Sequence, residues 1–520
     1  MPVKPPPPGS EHASEKPGGS GLPTSLIRNT LAQLSPVLVG YCFSFVAAPI
    51  VVAGLGIRAF GIWALTGALA QYGGLLDLGV GRSLARYVAA HQHDRRACGE
   101  YIVLGFLTVA VVGALLLALA FATAPWLAHA LGGITVHDMR IVLLCSTVMF
   151  VGSMLTFVIA AYPVGLRRMV APNIGITIGA LVNFTASVGA IVAGAGLTGY
   201  AVANALASLV TVPIVAAIVF SVEGFPPLAR PRHGRAKEFL SFSIKTQLGW
   251  GMELVNYQSD KIVIALSVGP AAAGSYELAN RVAAAVRQIG VFPMTALLPT
   301  LTASHRERGL EHLRSVYRRL TEIVVSVSFP LVWLVAASAP LLLGAWLGHV
   351  PARAEAILPA LCLAYLGTIS SGVASVVASA AGDPGPVAKA SVITAVANIA
   401  ITATLAPIFG LWGVLAGTVV ALSCGALFQV EMVKRRFSLR SGEHARAVLP
   451  TLRLCFVLAA PVFVVSYSGL IDGRLAQAVA LVLMSAAYLT VYVVISTRAG
   501  RVPARIVSAV PPLRRLQPAQ

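Results

Sequence analysis

Six ionisable residues lie close together in otherwise apolar sequence: Glu253, Asp260, Lys261, Glu277, Arg281 and Arg287. Helical spacing puts Lys245, Gly249, Glu253, Asn256 and Asp260 on one face, and Glu277, Arg281 and Gln288 on one face of the next helix. A charge at bilayer depth costs several kcal/mol unless it meets a partner or a water-filled cavity, so such a group marks a pathway by default. The alternative is that these charges neutralise one another and only hold helices together. The chemistry on offer is binding and release of an ionic ligand. Arginine suits an anion because its planar fork presents several donors. Arg281, Arg287 and Lys261 are the first candidates. A buried carboxylate such as Glu253 or Asp260 changes charge on taking up a proton or a sodium ion and so biases one conformation over another. Its competing role is an ion pair with Arg281 or Lys261 that closes a gate, and Glu277 belongs to the same coupling-or-gate set.

The elements that must position these groups are membrane helices. The chain has 520 residues, 57% hydrophobic and 11% charged, with a mean hydropathy of +0.82; soluble domains carry about 25% charged residues. This is the composition of an all-α polytopic membrane protein. About fourteen transmembrane helices are expected, near 29–53, 60–84, 101–127, 141–164, 172–194, 198–221, 240–268, 272–301, 319–347, 356–380, 388–407, 411–433, 448–470 and 475–496. The net charge of +19 is topological. Basic residues crowd alternate loops (Arg95 and Arg96; Arg167 and Arg168; Arg230 to Lys237; Arg306 to Arg319; Lys434 to Arg446), and the intervening loops hold about one each (Arg58, Arg140, Arg353, Arg474). The positive-inside rule makes both termini cytoplasmic. No nucleic-acid motif accompanies the charge, so no nucleic-acid partner is expected. The six cysteines are scattered singly, which implies neither a disulfide framework nor a metal site. No cofactor is implied. Asn183-Phe184-Thr185 fits a glycosylation acceptor but lies within a span and is discarded.

The expected organisation is a disordered cytoplasmic tail (1–24), a six-helix lobe (25–225), a basic linker (226–238), a second six-helix lobe (239–434), a cytoplasmic loop (435–447), an additional helix pair (448–497) and a basic tail (498–520). A repeat supports the two lobes. Gly56-x4-Gly61-Ile-Trp63 recurs as Gly269-x4-Gly274-Ser-Tyr276, an offset of 269 − 56 = 213. Gly196-Leu-Thr-Gly199 recurs as Gly410-Leu-Trp-Gly413, an offset of 410 − 196 = 214. An offset of an even number of spans relates the lobes by an axis along the membrane normal and predicts a central cavity between them, with alternating access.

At these residues the chain resembles the polysaccharide (O-antigen type) flippases of the multidrug/oligosaccharidyl-lipid/polysaccharide exporter superfamily. The matching pieces are Leu55-Gly56-x4-Gly61-Ile-Trp63, Tyr72-x4-Asp77-Leu78-Gly79, Asp260-Lys261-Ile-Val-Ile, Gly274-Ser-Tyr276-x2-Ala279-x-Arg281 and Leu298-Pro299. The resemblance implies that the first, second, seventh and eighth spans line the cavity. It also implies a polyprenyl-pyrophosphate-linked sugar as substrate, moved from the inner to the outer leaflet of a bacterial plasma membrane. The last two spans resemble the extra pair of the fourteen-span members, where they accompany a lipid-binding groove.

On that reading Arg281, Arg287 and Lys261 meet the pyrophosphate. Arg82 and Arg86, four apart on the second span, and Arg28 on the first stand where substrate enters. Topological anchoring is the alternative for Arg28 and Arg86, and snorkelling to the headgroups for Arg82 and Arg287. Asn256 and Asn280 can bond sugar hydroxyls or neighbouring helices; Asp77 serves transport or caps free backbone donors. Expected partners are the lipid-linked oligosaccharide, a proton or sodium ion, and glycan-assembly proteins. A cation-coupled multidrug exporter predicts a more acidic or aromatic cavity than this one. A glycan-assembling enzyme predicts an acidic metal motif or a large outer loop, and the chain shows neither. A non-transporting scaffold does not need the charged cavity.

Overall fold

The structure, a computed structural model, describes residues 24–75, 79–351, 353–440 and 442–499. Asp77 lies outside the described residues, as do most of both expected tails and the side chains of Arg28, Lys245 and Glu253. In chain order the helices are α1 (Thr24–Tyr72), a 3-10 turn (Gly73–Leu75), α2 (Val80–Ala90), α3 (Arg95–Leu131), α4 (Val136–Gly165), α5 (Val170–Val192), α6 (Gly196–Glu223) and α7 (His233–Ser267). Then follow α8 (Pro270–Ala337), α9 (Ala339–Leu347), α10 (Ala354–Ala380), α11 (Gly385–Phe409), α12 (Leu411–Phe437), α13 (Glu443–Tyr467) and α14 (Arg474–Arg498). Helix closes every backbone hydrogen bond within its own segment, which hydrocarbon requires. Eleven helices among the described residues are long and apolar enough to cross a membrane. The chain is a multi-pass membrane protein, and its helices are compatible with fourteen crossings.

Several expected boundaries differ. The first two spans run together as α1, and the eighth and ninth as α8, each turning at a single glycine. Gly56 (φ 79°) and Gly309 (φ 71°) take left-handed backbone angles that a β-carbon disfavours. At Gly309 the two legs of α8 fold back on each other, bringing Gly290 against Ser328. The second span breaks instead at the 3-10 turn and resumes as α2, whose N-cap Gly79 is also left-handed (φ 65°). The expected linker 226–238 is helical from His233, and the expected loop 435–447 is shortened by the ends of α12 and α13.

The helices form two packed groups. In the first, α3 packs on α4, α4 and α5 on α6, and the first leg of α1 on α5. In the second, α10 packs on α8 and α12, and α11 on α12 and α7. The last two helices sit on the outside of the second group. Leu334 and Ala337 of α8 share a core with Ala459, Val462 and Tyr488, and Tyr492 donates to the Ser326 carbonyl at 2.8 Å.

α7 belongs to both groups. Phe239 near its start is buried with Tyr87 and Tyr101 of the first group, whereas Ile264 near its end is buried in the large core that the second group shares with α1, α3 and α4. The segment before it is pinned by Glu100, which is 1% exposed. Glu100 Oε1 meets Arg235 Nη1 at 2.8 Å, and Oε2 accepts from the Arg232 amide at 3.2 Å. Beside it Asp94 caps α3, and the hydrogen bond from the Ala97 amide holds its carboxyl below the usual carboxylate range. Glu100→Ala leaves Arg235 without its buried partner. Because that arginine is partly exposed and keeps Asp94 at 3.7 Å, the expected cost is that of the lost charge-assisted hydrogen bonds, about 1.5–3 kcal/mol. It is read as a lowered Tm of the purified protein; an unchanged melt would show that the pin carries no stability.

Candidate functional site

Three of the expected residues come together between the two helix groups. Lys261 Nζ on α7 meets Glu277 Oε2 on α8 at 2.5 Å, and Arg281 Nε, one turn along α8, meets Glu277 Oε1 at 3.0 Å. These side chains are 7%, 12% and 26% exposed for Lys261, Glu277 and Arg281. With all three ionised the cluster keeps one net positive charge. Arg281 also reaches across to the first group. Its Nη1 donates to Ser44 Oγ at 2.9 Å, and its guanidinium lies 5.3 Å from the Phe60 ring centroid, within cation–π range.

The cluster faces a cavity of about 280 Å³, whose other wall is Trp63, Gly67 and Gln71 of α1 with Ser146 and Ser153 of α4. One wall therefore brings charge and the other brings hydroxyl, amide and indole. The repeat explains this division. Subtracting the offset of 213 from Asp260, Lys261, Glu277 and Arg281 gives Ala47, Ala48, Ala64 and Ala68. The two groups share a backbone plan, and only the second carries the ionic chemistry.

The repeat glycines close the site at one end. A β-carbon on Gly61 would overlap the Pro270 carbonyl, and one on Gly274 would overlap that of Ile57. The glycines of the two copies thus let the backbones of α1 and α8 touch, at the end of the molecule away from the basic loops. On the same leg of α1, a β-carbon on Gly67 would meet nothing within 4 Å. Further along the seam Gln258 donates to Gln71 Oε1 at 3.2 Å, and Gln247 donates to the Gly74 carbonyl.

Asp260 stands apart from this cavity. It is 1% exposed within the second group, and its Oδ2 accepts from Tyr276 Oη at 2.8 Å and from Thr418 Oγ1 at 2.8 Å. The side chain of Asn398 is beside it. The competing arrangement, an ion pair of Asp260 with Lys261 or Arg281, is not made here, because Glu277 takes both cations. Asn280 accepts from Tyr365 Oη at 2.8 Å, a bond within the second group.

Arg287 does not join Arg281. Six residues on, it projects from another face of α8 and lies 4.2 Å from the Tyr257 ring centroid and 5.5 Å from that of Tyr365. Arg82 and Arg86 are exposed on α2, and the Arg86 guanidinium lies 3.9 Å from the Phe242 ring of α7. Asn256 is buried in the second group, among α7, α10, α11 and α12.

Sequence reasoning missed Ser44, Thr418 and Asn398, which are single polar residues in apolar helices with no spacing signal. Tyr276 was visible as the repeat partner of Trp63 and within the family-like stretch around Gly274, but not as a partner of Asp260. Among the described residues no group of three His, Cys, Asp or Glu side chains is gathered for a metal.

The family described as polysaccharide biosynthesis protein matches residues 26–305, more than half of the chain. No curated protein matches the sequence. Among solved structures, the lipid II flippase MurJ in an inward closed conformation is similar with a TM-score of 0.67 at 13% identity, covering 90% of this chain and 98% of that one. An inward-facing multidrug resistance MATE family transporter of the MOP superfamily is similar with a TM-score of 0.60 at 16% identity, covering 79% of this chain and 98% of that one. A second MATE structure, in a bent conformation, gives 0.54 at 16% identity over 81% of this chain and 96% of the other. These likenesses establish the fold, and the match over residues 26–305 establishes the lineage: the chain belongs to the polysaccharide biosynthesis protein family, and its fold is similar to those of these flippase and transporter structures.

Proposed function

We propose that this protein is a flippase. It moves a polyprenyl-pyrophosphate-linked oligosaccharide from the cytoplasmic to the outer leaflet of a bacterial plasma membrane by alternating access, with its basic loops and both termini in the cytoplasm. The observation that carries the reading is the Lys261–Glu277–Arg281 cluster at the interlobe cavity, sealed at one end by Gly61 and Gly274. A pyrophosphate entering this low-dielectric space competes with Glu277 for two cations already held in place. Arg82 and Arg86 at the basic end collect the headgroup before it enters. The cavity of about 280 Å³ is too small for an oligosaccharide and must widen as the lobes part.

Asp260 supplies coupling. It sits on the same helix as Lys261, one residue earlier, so a change of its charge acts on α7 and through α7 on the cluster. Its Oδ1 makes no close hydrogen bond among the described residues and has the Asn398 side chain beside it; it is the atom that takes a proton or ligates a sodium ion. Asp260→Asn keeps the shape, and the remaining oxygen can still accept from Tyr276 or Thr418. The expected result is a protein of normal abundance whose transport no longer responds to a proton or sodium gradient. Transport that keeps its full gradient dependence would remove Asp260 from this role.

The substrate is tested by depleting the protein and measuring polyprenyl-linked glycans leaflet by leaflet. A glycolipid accumulating on the cytoplasmic side supports the flippase. An unchanged pool with raised sensitivity to cationic drugs favours the exporter reading, and no change in either favours a scaffold.

A further inference from the structure

A second cavity, of about 270 Å³, lies wholly within the second helix group, among α7, α10, α11 and α12. Eight of the twelve residues lining it are polar and none is charged. From the basic end inwards run Ser391 of α11, Gln429 of α12 and Ser375 of α10, all half-buried; deeper are Ser371 at 4%, Thr394 at 8% and Asn256 at 7% exposure. Its depth is set by helical register. Asn256 precedes Asp260 by one turn on α7, and Thr394 precedes Asn398 by one turn on α11. The cavity therefore ends one turn short of the buried carboxylate.

Two features mark this space as hydrated. Buried polar atoms bond to protein or to water, yet Asn256 Oδ1 makes no hydrogen bond among the described residues, and one turn on neither Asp260 Oδ1 nor the Nδ2 of the neighbouring Asn398 makes a close one. Together they form two steps of one ladder, from cavity floor to carboxylate. The volume also holds several waters at the roughly 30 Å³ each occupies in the liquid. Polar groups at membrane depth face either one another or water; here the Ser371 and Thr394 hydroxyls bond carbonyls of their own helices and still border the open space of the cavity. A row of hydroxyl and amide oxygens without a fixed charge is the environment that a small hard cation accepts in place of its hydration shell. Gln429 spans the entrance, donating to the Ser371 carbonyl at 3.1 Å and to Ser375 Oγ at 2.7 Å.

We propose that this cavity is the route by which the coupling cation, a proton carried on water or a sodium ion, passes between the basic face of the protein and Asp260, separate from the substrate cavity between the lobes. The proposal rests on the coupling role given to Asp260 above. Its consequence is mechanical. The ion reaches or leaves Asp260 without crossing the space that holds the glycolipid headgroup, so the two need not compete for one entrance.

Cysteine accessibility tests it. In full-length protein with the six native cysteines replaced by alanine, Thr394→Cys reports the deep end of the route and Ser153→Cys reports the interlobe cavity. Both are treated in inside-out vesicles with the membrane-impermeant cation methanethiosulfonate ethyltrimethylammonium. Thr394→Cys is expected to react, and Ser375→Trp, added at the entrance, to slow that reaction at least tenfold while leaving Ser153→Cys unchanged. If Thr394→Cys is inert in protein whose Ser153→Cys reacts, or reacts equally fast with Ser375→Trp in place, the route is overturned. The coupling role is read independently. An Asp260→Asn protein that keeps gradient-dependent transport overturns that role, and the ion route with it, even if the labelling succeeds.

Discussion

Arg281→Ala is expected to reduce glycolipid transport by about 10- to 100-fold, and Arg281→Lys to retain part of the activity. Removing the guanidinium leaves Lys261 and Glu277 as a closed pair, 2.5 Å apart, with no net charge. A pyrophosphate then meets no attraction to set against its loss of hydration. Hydrogen bonds to a charged group contribute about 1.5–3 kcal/mol, and each 1.4 kcal/mol is a factor of ten, which sets the expected range. The lysine restores the charge without the bidentate fork or the reach to Ser44 Oγ. Initial rates in vesicles of matched protein content check this result. Wild-type activity in the alanine variant would remove Arg281 from headgroup binding. Glu277→Gln provides a companion measurement, since it frees both cations and should tighten binding of the anion while slowing its release.

The second large effect concerns closure. Gly61→Val places branched carbon where the Pro270 carbonyl already stands, so α1 and α8 cannot meet and the lobes cannot seal at that end. Overpacking of this kind costs about 1–3 kcal/mol, enough to shift a two-state balance by about 5- to 150-fold. Ser153→Cys in the interlobe cavity should then be labelled at least about fivefold faster from the end away from the basic loops, with transport lost. Gly67→Ala lies on the same leg of α1, in the cavity wall but away from the contact, with open space at its β-carbon, and should leave the labelling rate as in wild type. Equal labelling rates in Gly61→Val and Gly67→Ala would show that the glycine contact is not the seal.

The architecture was legible because membrane helices announce themselves by length and apolarity, and because basic loops alternate with apolar spans. The repeat was legible because glycine is the residue that lets two backbones touch, and here the two copies of the motif touch each other. The turns at Gly56 and Gly309 were read as loops, since a sequence shows that glycine frees the backbone but not that helix resumes at the next residue. Within the site, Lys261, Glu277 and Arg281 stood out because charge is rare in apolar sequence. Their pairing did not, because Lys261 has one acid next to it in sequence, Asp260, which a helix turns to another face, and one on the following helix, Glu277, which only the packing of α7 on α8 brings to it. Thr418 and Asn398, which surround Asp260, arrive from helices about 140 to 160 residues away, and no local pattern points to them. Arg281 and Arg287 are both arginines on α8, but six residues is not a helical repeat, and the second turns to Tyr257 and Tyr365.

The central claim is movement of a glycolipid through the cavity that the Lys261–Glu277–Arg281 cluster guards. Its most direct test is purified protein in liposomes containing a fluorescent polyprenyl-pyrophosphate-linked glycan, with leaflet location read by a membrane-impermeant quencher. The flippase account predicts rapid exchange of the label between leaflets with the wild-type protein, and exchange close to that of protein-free liposomes with Arg281→Ala. Wild-type protein that leaves the glycolipid in its original leaflet, while moving a cationic dye across the same membrane, would contradict it.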